Sequence, residues 1–191
     1  MARPASDKRE RLAAAAAELV ASLGLDGATI AAIAKHASVP PGSVYYYLPT
    51  KTAIAEAAVA YWAQRRTAAL AEWSEAGDPR ARLIAYLDAA VQEAPQSADR
   101  GTIGTLAAQL RTTAPEAAEA AALVIRDTVS WAAANFEHLG FARDAAAARA
   151  LHLVTGIEGA GQLAHALGDT TPIERESAHL SRWVASSRAS A

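Results

Sequence analysis

Apolar residues recur at helical spacing along most of the chain. One such stripe lies near the start and consists of Leu12, Ala16, Leu19, Val20 and Leu23. Its three- and four-residue spacing predicts a first helix over about residues 8–23, preceded by a capping-box pattern at Asp7 and Glu10. Gly24 and Gly27 then end this helix. No stretch alternates apolar and polar residues as a half-buried strand does, so the pattern predicts an all-α fold.

Proline, glycine and capping residues divide the rest of the chain into further helices. A second short helix follows Thr29, and a third runs from Pro41 to Leu48. Thr50 caps a fourth, longer helix that reaches about Trp73. The last helix starts with the sequence TPIE, which combines a capping box with a proline at the first helical position. The later helices are predicted at about residues 79–93, 101–112, 115–139, 143–167 and 172–187.

The composition is that of a helical protein rich in small side chains. Of the 191 residues, 52% are hydrophobic but only 6% are aromatic, and much of the hydrophobic fraction is alanine, the strongest helix former. The absence of cysteine excludes disulfides and favours a reducing compartment. No apolar run approaches the ~20 residues that span a bilayer. We therefore expect a cytoplasmic protein with no membrane partner.

Charge is distributed unevenly along the chain, although the net value is only −2. Residues 1–51 hold six Lys or Arg against four Asp or Glu, a local balance of +2. The rest of the chain holds the remaining 12 basic and 16 acidic residues, a balance of −4. A basic N-terminal part on an acidic remainder is compatible with nucleic-acid contact by the N-terminal part.

The densest aromatic cluster lies in the segment Ser38–Lys51, whose sequence is SVPPGSVYYYLPTK. On the third helix, Val44 and Leu48 share one inward face because they are four residues apart. The residues that then point away from the core are Pro41, Gly42, Tyr45 and Tyr46. Small residues at the helix start let the backbone approach base edges, the Ser43 hydroxyl can donate or accept, and tyrosine hydroxyls suit phosphate oxygens. The ammonium of Lys51 and the N-terminal amides of the next helix can hold one phosphate.

An alternative interpretation makes these tyrosines ordinary core aromatics of a helical bundle. It leaves the turn residues and Lys51 without an explanation. The pattern therefore favours a helix-turn-helix whose third helix enters the major groove of DNA.

The same segment resembles the TetR family of one-component bacterial repressors. The resemblance covers about residues 8–60 and is carried above all by GSVYYYLPTK, which follows the family's order of glycine, hydroxyl, apolar, tyrosine and, at its end, lysine. It implies an N-terminal three-helix DNA-binding domain over residues 1–51 and an antiparallel helical ligand-binding and dimerisation domain over residues 52–191. Two residues depart from the family pattern, since Pro40 replaces a capping serine and Ser38 replaces a turn glycine.

The resemblance also implies a set of DNA contacts and partners. The implied phosphate contacts are Thr29, Tyr45, Tyr47 and Lys51, with Tyr46 near them and Lys35 in the same DNA-binding set. The residues implied to lie closest to the bases are Pro41, Gly42 and Ser43. The partners implied are double-stranded palindromic operator DNA, a second copy of the chain, and a small-molecule effector. Mostly aliphatic walls favour an apolar or aromatic effector that releases the repressor from DNA.

Candidate effector-binding residues are spread over residues 52–191. The aromatic candidates are Trp62, Tyr86, Trp131 and Phe136, and the polar candidates are Thr105, Gln109, His152 and Thr155. Ordinary core packing is an alternative explanation for each aromatic one. The segment Gly101–Leu110 is similar to the mid-body helix of a TetR subgroup near the lincomycin- and quercetin-responsive repressors.

Residues 151–167, with the sequence LHLVTGIEGAGQLAHAL, combine apolar residues with three glycines. Small residues let helices cross closely, so we expect this helix and the one that holds Trp183 to form a four-helix dimer interface. Glu158 lies within this run and is either exposed or paired across the dimer.

Other functional classes find little support in the sequence. Five histidines lack metal-ligand spacing, namely His36, His138, His152, His165 and His179. No phosphate loop, nucleophile motif or paired-carboxylate signature appears, so no catalytic residue, metal or cofactor is predicted. The alternatives are a helical small-molecule-binding adaptor or an enzyme with a vestigial DNA-binding head. Neither needs the tyrosine cluster.

Overall fold

The computed structural model describes residues 5–188, and within them every regular element is an α-helix. The helices are α1 (Ala5–Gly27), α2 (Ile30–Ala37), α3 (Pro41–Tyr47), α4 (Lys51–Glu75), α5 (Pro79–Gln92), α6 (Ala94–Arg100), α7 (Ile103–Leu110), α8 (Pro115–His138), α9 (Arg143–Leu167) and α10 (Thr171–Ser186). The predicted all-α class is confirmed. None of the helices in this range is long and apolar enough to cross a membrane.

Hydroxyl and glycine residues set several helix ends as predicted. The side-chain oxygens of Thr29 and Thr50 accept hydrogen bonds from the amides of Ala32 and Ala53, at 3.1 and 3.0 Å. These bonds satisfy amides that have no partner within the first helical turn. At the C-terminal end of α9, Gly168 takes the left-handed conformation that favours glycine, with φ 63°.

Two predicted caps are wrong. Helix α1 already includes Ala5, so Asp7 lies inside the first turn, where its carboxylate is 3.8 Å from Arg11 Nη1. Helix α10 begins at Thr171, so the capping position falls on Thr170, whose side chain accepts no hydrogen bond from the amides of the first turn. The side chain that binds the helix start is that of Asp169, whose Oδ1 accepts from the Thr171 amide at 3.0 Å and from its hydroxyl at 2.8 Å. These hydrogen bonds favour the charged carboxylate and lower the pKa of Asp169.

Helix α6 is absent from the sequence prediction, which places a helix boundary at Pro95. Proline lacks only an N–H that the first helical turn does not use, so it starts this helix. Gly101 then ends the helix with φ 76°. The expected single helix over residues 101–112 is therefore the shorter α7.

The chain divides into two compact units, and α4 and α8 contribute residues to both. The first unit comprises Met1–Arg65 and Ile103–Leu123, and the second comprises Arg66–Thr102 and Val124–Ala191. The boundary predicted at residue 51 falls within the first unit, so the extent of the DNA-binding domain stays a prediction.

The first unit has a core made of small and aliphatic side chains. More than half of its buried apolar residues are alanines. Val44 and Leu48 of α3 pack in this core together with Leu12 and Ile33, while Tyr47 packs at its margin. The predicted inward face of the third helix is therefore confirmed.

The second unit has an aromatic core. Trp73, Tyr86, Phe136 and Phe141 are buried in it, and Trp131 and Trp183 pack against them at the margin. A smaller cluster of the same unit brings Ala94 of α6 together with three further residues, which are Ala160, Ala164 and Ile173. Helix α9 therefore packs against α6 and α10 through small side chains, Ala160 and Ala164.

Candidate nucleic-acid interface

The turn between α2 and α3 is a helix C-terminal motif with a serine where glycine is usual. Ser38 takes the left-handed conformation, with φ 52° and ψ 50°. Its amide donates to the Lys35 carbonyl at 3.2 Å, and the Val39 amide donates to the Ala34 carbonyl at 3.0 Å. This pair of bonds is a Schellman motif, which reverses the chain within a few residues. The departure at Ser38 therefore places a non-glycine residue in strained backbone.

Helix α3 starts without a side-chain cap. Pro40 precedes it in extended conformation and offers no side-chain hydrogen bond to the first turn, as its replacement of a serine predicts. The Ser43 amide instead donates to the Pro40 carbonyl at 2.9 Å, and the Leu48 amide closes the helix on the Val44 carbonyl at 2.7 Å. The first turn of α3 also has no acidic residue that would repel a phosphate.

The outward face of α3 carries two strongly exposed tyrosines. The side chains of Tyr45 and Tyr46 are 64% and 79% exposed, whereas Val44 on the opposite face is fully buried. The ring of Tyr46 meets the half-buried ring of Tyr47 edge-on, with centroids 4.9 Å apart and planes at 87°. This contact limits the freedom of a side chain that would otherwise be mobile at the surface.

The backbone at the start of α3 is open to approach. Pro41 and Gly42 are exposed, and a Cβ built on Gly42 would meet no atom within 4 Å. Ser43 is half-buried beside them. Glycine is therefore not needed here for packing within the chain. It leaves the peptide backbone uncovered toward any partner that lies against this face.

Two more predicted contacts lie exposed on α2 and just before it. Lys35 is exposed in the last turn of α2. Thr29 is exposed at the helix start and uses its oxygen as an acceptor for the cap. Its hydroxyl hydrogen is not used by that cap and can still be donated to a phosphate oxygen.

Lys51 is a predicted phosphate contact, but its ammonium is engaged within the protein. Its Nζ atom donates to the carbonyls of Leu25, Asp26 and Ala28 at 2.7, 3.0 and 3.4 Å. These carbonyls lie at and just beyond the end of α1, after the non-helical residue Gly24. A lysine ammonium has three hydrogens, so these contacts use its full donor capacity.

A second basic residue of the first unit is used in a similar way. The Nη2 atom of Arg11 donates to the carbonyl of Ala37 and to that of Ser38, the latter at 3.0 Å. The sequence pattern assigns no role to Arg11, and no sequence signal could have shown one, because 26 residues separate it from Ala37. It ties α1 to the turn before α3.

The candidate effector-binding residues fall in both units. Trp62, Thr105 and Gln109 belong to the first unit, where Trp62 packs at the margin of the core and Gln109 is exposed. In the second unit, His152 and Thr155 lie on the exposed side of α9. Of the aromatic candidates of that unit, Tyr86 and Phe136 are buried, and Trp131 is half-buried at the margin of the core.

Tyr86 and Trp131 meet in one aromatic cluster with Trp73. The ring centroids are 5.3 Å apart for Trp73 and Tyr86, 5.7 Å for Trp73 and Trp131, and 6.3 Å for Tyr86 and Trp131. Burial raises the pKa of Tyr86 and outweighs the Arg66 charge that lowers it, and the nearby Glu158 carboxylate raises it further. Glu158 itself is half-buried.

Polar atoms border this cluster. Trp131 Nε1 donates to Ser74 Oγ at 2.9 Å. The Asn135 side chain is 4% exposed and donates through Nδ2 to the Trp131 carbonyl at 2.9 Å. Its Oδ1 atom is buried and has no hydrogen-bond partner among residues 5–188. Phe136, the remaining candidate, contacts Phe141 and Trp183 instead.

The three glycines of α9 face different surroundings. A Cβ on Gly156 would come within 2.8 Å of Glu176 Oε1 and 3.0 Å of Leu180 Cδ1, and one on Gly161 would meet Thr102 Cγ2. Both therefore serve close packing within the chain. A Cβ on Gly159 would meet nothing within 4 Å. The same helix exposes three leucines, which are Leu151, Leu163 and Leu167, at 58%, 57% and 68%.

No group of three or more histidine and carboxylate side chains suited to a metal ion occurs in the part of the chain that the structure describes. The candidate interface of the first unit consists of the exposed tyrosine hydroxyls of α3, the exposed backbone at the start of α3, and the hydroxyl and ammonium donors of Thr29 and Lys35 beside them in the sequence. Such donors match the acceptor oxygens of a nucleic-acid backbone.

Comparison with known proteins supports this interpretation of the N-terminal part. Residues 12–58 match the family described as "Bacterial regulatory proteins, tetR family". No curated protein matches the chain significantly. A TetR transcriptional regulator from Chloroflexus aurantiacus J-10-FL is similar in structure, with a TM-score of 0.80 and 25% sequence identity over 95% of this chain and 96% of that one.

Other solved structures agree with this likeness. A TetR transcriptional regulator from Legionella pneumophila has a TM-score of 0.80 at 19% identity, covering 91% of this chain and 94% of that one. A transcriptional regulator from Rhodococcus sp. Rha1 has a TM-score of 0.70 at 26% identity, covering 92% and 95%. The likeness extends over nearly the whole chain, so the fold of TetR regulators is shared beyond residues 12–58.

Proposed function

We propose that this chain, which belongs to the tetR family of bacterial regulatory proteins, is a repressor. It is a cytoplasmic protein without enzymatic activity in this proposal. In this proposal it binds palindromic operator DNA as a homodimer, with α3 of each subunit in a major groove. A dimer would place its two recognition helices about 34–36 Å apart, one turn of the duplex. A small apolar or aromatic molecule would release it.

The observation that carries the DNA-binding proposal is the outward face of α3. Tyr45 and Tyr46 are exposed on a helix whose other face is sealed in the core. An exposed pair of large aromatic side chains is unfavourable unless a partner covers it. Tyrosine hydroxyls reach phosphate oxygens, and the uncovered backbone at Gly42 leaves room for base edges. We place Thr29, Lys35, Pro41, Ser43 and Tyr47 around this face.

The dimer proposal rests on the outer side of α9. Leu151, Leu163 and Leu167 are exposed there. Gly159 lies between Leu151 and Leu163 in the sequence, and a Cβ on it would meet no atom within 4 Å. Apolar side chains around a small residue are what a close helix crossing needs. We propose that α9 and α10 of two subunits form a four-helix interface.

The effector proposal rests on the aromatic cluster of the second unit. Tyr86 and Trp131 supply aromatic walls, and Asn135 Oδ1 offers a buried acceptor. An aromatic molecule with one donor group fits such surroundings. To reverse a 99:1 preference for the DNA-binding conformation, it must bind the released conformation about 10⁴-fold more tightly.

Fluorescence anisotropy with the duplex upstream of the protein's own gene tests the DNA-binding proposal. Tyr45→Phe removes one hydroxyl from the outward face, and we expect affinity to fall about tenfold or more, the loss of one hydrogen bond to a charged group. Tyr61→Phe is the matched control, because Tyr61 packs at the margin of the core in the same unit. Equal affinity of Tyr45→Phe and the wild type would overturn the contact, and absent salt-dependent binding would overturn the function.

Sedimentation equilibrium tests the dimer. Leu163→Glu places a charge on the proposed interface and should yield monomers at concentrations where the wild type is dimeric. Leu123→Glu is the control, since Leu123 is an exposed leucine of α8 at 48%. A monomeric wild type, or a dimeric Leu163→Glu variant, would contradict the proposed interface.

A further inference from the structure

The recognition helix α3 is flanked by two contacts of the same kind, each made by a basic side chain on backbone carbonyls. Arg11 of α1 binds the Ala37 and Ser38 carbonyls in the turn that precedes α3. Lys51, the first residue of α4, binds carbonyls at the end of α1. Both contacts involve α1. The segments immediately before and after α3 are therefore both bound to α1.

Each contact suits the charge of the site that it binds. The last carbonyls of a helix lack amide partners and carry the negative end of the helix dipole. A cation placed there is therefore stabilised, and it satisfies carbonyls that would otherwise have only water. The Lys51 distances of 2.7 and 3.0 Å are those of direct charge-assisted hydrogen bonds, and the third, at 3.4 Å, is longer.

The link between α3 and α4 is too short to let Lys51 move independently of α3. Only Leu48, Pro49 and Thr50 separate the two helices. Leu48 is buried in the core, and Thr50 caps α4 through the Ala53 amide. Anchoring Lys51 to the end of α1 therefore also anchors the C-terminal end of α3.

We propose that Lys51 is a positioning residue for DNA binding, which holds α3 in place through the end of α1, with Arg11 acting likewise at the turn before α3. This inference rests on the proposed DNA-binding function. It assigns the two basic residues to the orientation of the tyrosine face. Both Lys51 and Lys35 are exposed, and the proposal leaves phosphate neutralisation to Lys35 because the Lys51 ammonium is bound to carbonyls. A phosphate bound by Lys51 would have to displace one of its carbonyl hydrogen bonds, because the ammonium has no fourth hydrogen.

The salt dependence of DNA binding separates positioning from direct phosphate binding. Removing one cation that binds a phosphate reduces the slope of log affinity against log salt concentration by about 0.9. We expect Lys51→Met to weaken operator binding by a similar factor at every salt concentration, with the slope unchanged. Lys35→Met is the matched control and should reduce the slope by about 0.9. A slope reduced by that amount in Lys51→Met would overturn the proposal in favour of direct phosphate binding.

Amide hydrogen exchange in the absence of DNA provides a readout that does not depend on the proposed function. In Lys51→Met we expect the amides of α3 to exchange at least about tenfold faster, because the loss of even one hydrogen bond to a charged group corresponds to that factor. Lys35→Met should leave them unchanged. Unchanged exchange of α3 in Lys51→Met would overturn the positioning role, whether or not the wild type binds DNA.

Lys51→Arg and Arg11→Lys keep the charge and a donor at each contact. Lys51→Arg should retain at least half of the exchange protection that is lost in Lys51→Met, and Arg11→Lys should retain at least half of that lost in Arg11→Met, which removes the other contact. If Lys51→Met does not fold, Lys51→Gln carries the test, because it also removes the charge and the proposal expects it to keep the wild-type salt slope. A salt slope reduced by about 0.9 in Lys51→Gln would contradict the proposal.

Discussion

Aromatic side chains lie outward in one compact unit and inward in the other. In the first unit, Tyr45 and Tyr46 are exposed and Tyr47, Tyr61 and Trp62 are partly buried, while the core is mostly alanine and aliphatic residues. In the second unit, Trp73, Tyr86, Phe136 and Phe141 fill the core. The two units thus differ in their core side chains, and within residues 5–188 aromatic rings are among the buried core residues of the second unit alone.

This difference supports the proposed role of the α3 tyrosines. A core of small side chains packs without aromatic rings, so burial does not account for Tyr45 and Tyr46. Rings that contribute little to folding are free to meet a partner. We therefore expect aromatic substitutions to affect stability in the second unit and DNA binding in the first.

The largest expected effect is that of Phe136→Ala. The ring is fully buried and lies 5.6 Å from the Trp183 ring and 6.0 Å from that of Phe141, centroid to centroid. Removing it should lower the free energy of unfolding by about 3–5 kcal/mol. Tyr46→Ala should change it by no more than about 0.5 kcal/mol. Urea unfolding followed by circular dichroism measures both free energies. Similar losses of unfolding free energy in the two variants would contradict the proposed difference between the two units.

A pH-dependent effect is expected at Tyr86. Burial raises its pKa above the ordinary value of 10.0, so the unfolded chain loses this proton at lower pH than the folded protein does. The resulting stability is complete below about pH 10 and is lost as pH rises toward the folded pKa, at up to about 1.4 kcal/mol per pH unit. Tyr86→Phe should show a shallower decline in urea stability as the pH is raised from about 10 to about 11. Parallel declines would contradict the role of burial.

Ser74→Ala should have a smaller effect within the same cluster. It removes the acceptor of Trp131 Nε1 and should lower the free energy of unfolding by about 1 kcal/mol. The expected change in Trp131 fluorescence reports the same loss. Ser130→Ala, at an exposed serine of α8, is the control. Equal stabilities of the two variants would mean that the indole hydrogen bond contributes nothing measurable.

Gly42→Ala is expected to have the smallest effect on stability, with the opposite sign. Alanine has the higher helix propensity, and no atom lies within 4 Å of the new methyl group, so stability should rise by about 0.5 kcal/mol. The same methyl group would stand between the α3 backbone and the base edges, and DNA affinity should fall. Reduced stability, or unchanged affinity, would show that Gly42 has another role.

Local chemistry made much of the fold predictable. The inward face of Val44 and Leu48 follows from their four-residue spacing, and the caps at Thr29 and Thr50 follow from their hydroxyls. Helix α6 does not follow from the sequence, because Pro95 can either end a helix or begin one. Only the packing of Ala94 in the core shows which occurs.

The candidate site was less predictable where long-range contacts decide it. Exposure of Tyr45 and Tyr46 follows from the helical position of Val44. The carbonyl contacts of Lys51 do not follow from the sequence. The acceptor Leu25 is 26 residues away, and every residue has a backbone carbonyl, so no residue type marks the acceptor. The effector candidates remain predictions, since helical spacing alone does not distinguish a ring in a ligand site from a ring in the core.

The most direct test of the account is operator binding by the double variant Tyr45→Ala, Tyr46→Ala, compared with the wild type across a salt series. We predict salt-dependent binding by the wild type and a loss of about a hundredfold in the double variant, with urea stability within about 1 kcal/mol of the wild type. Binding of the two proteins with equal affinity would contradict the account, because the exposed face of α3 would then have no part in meeting DNA.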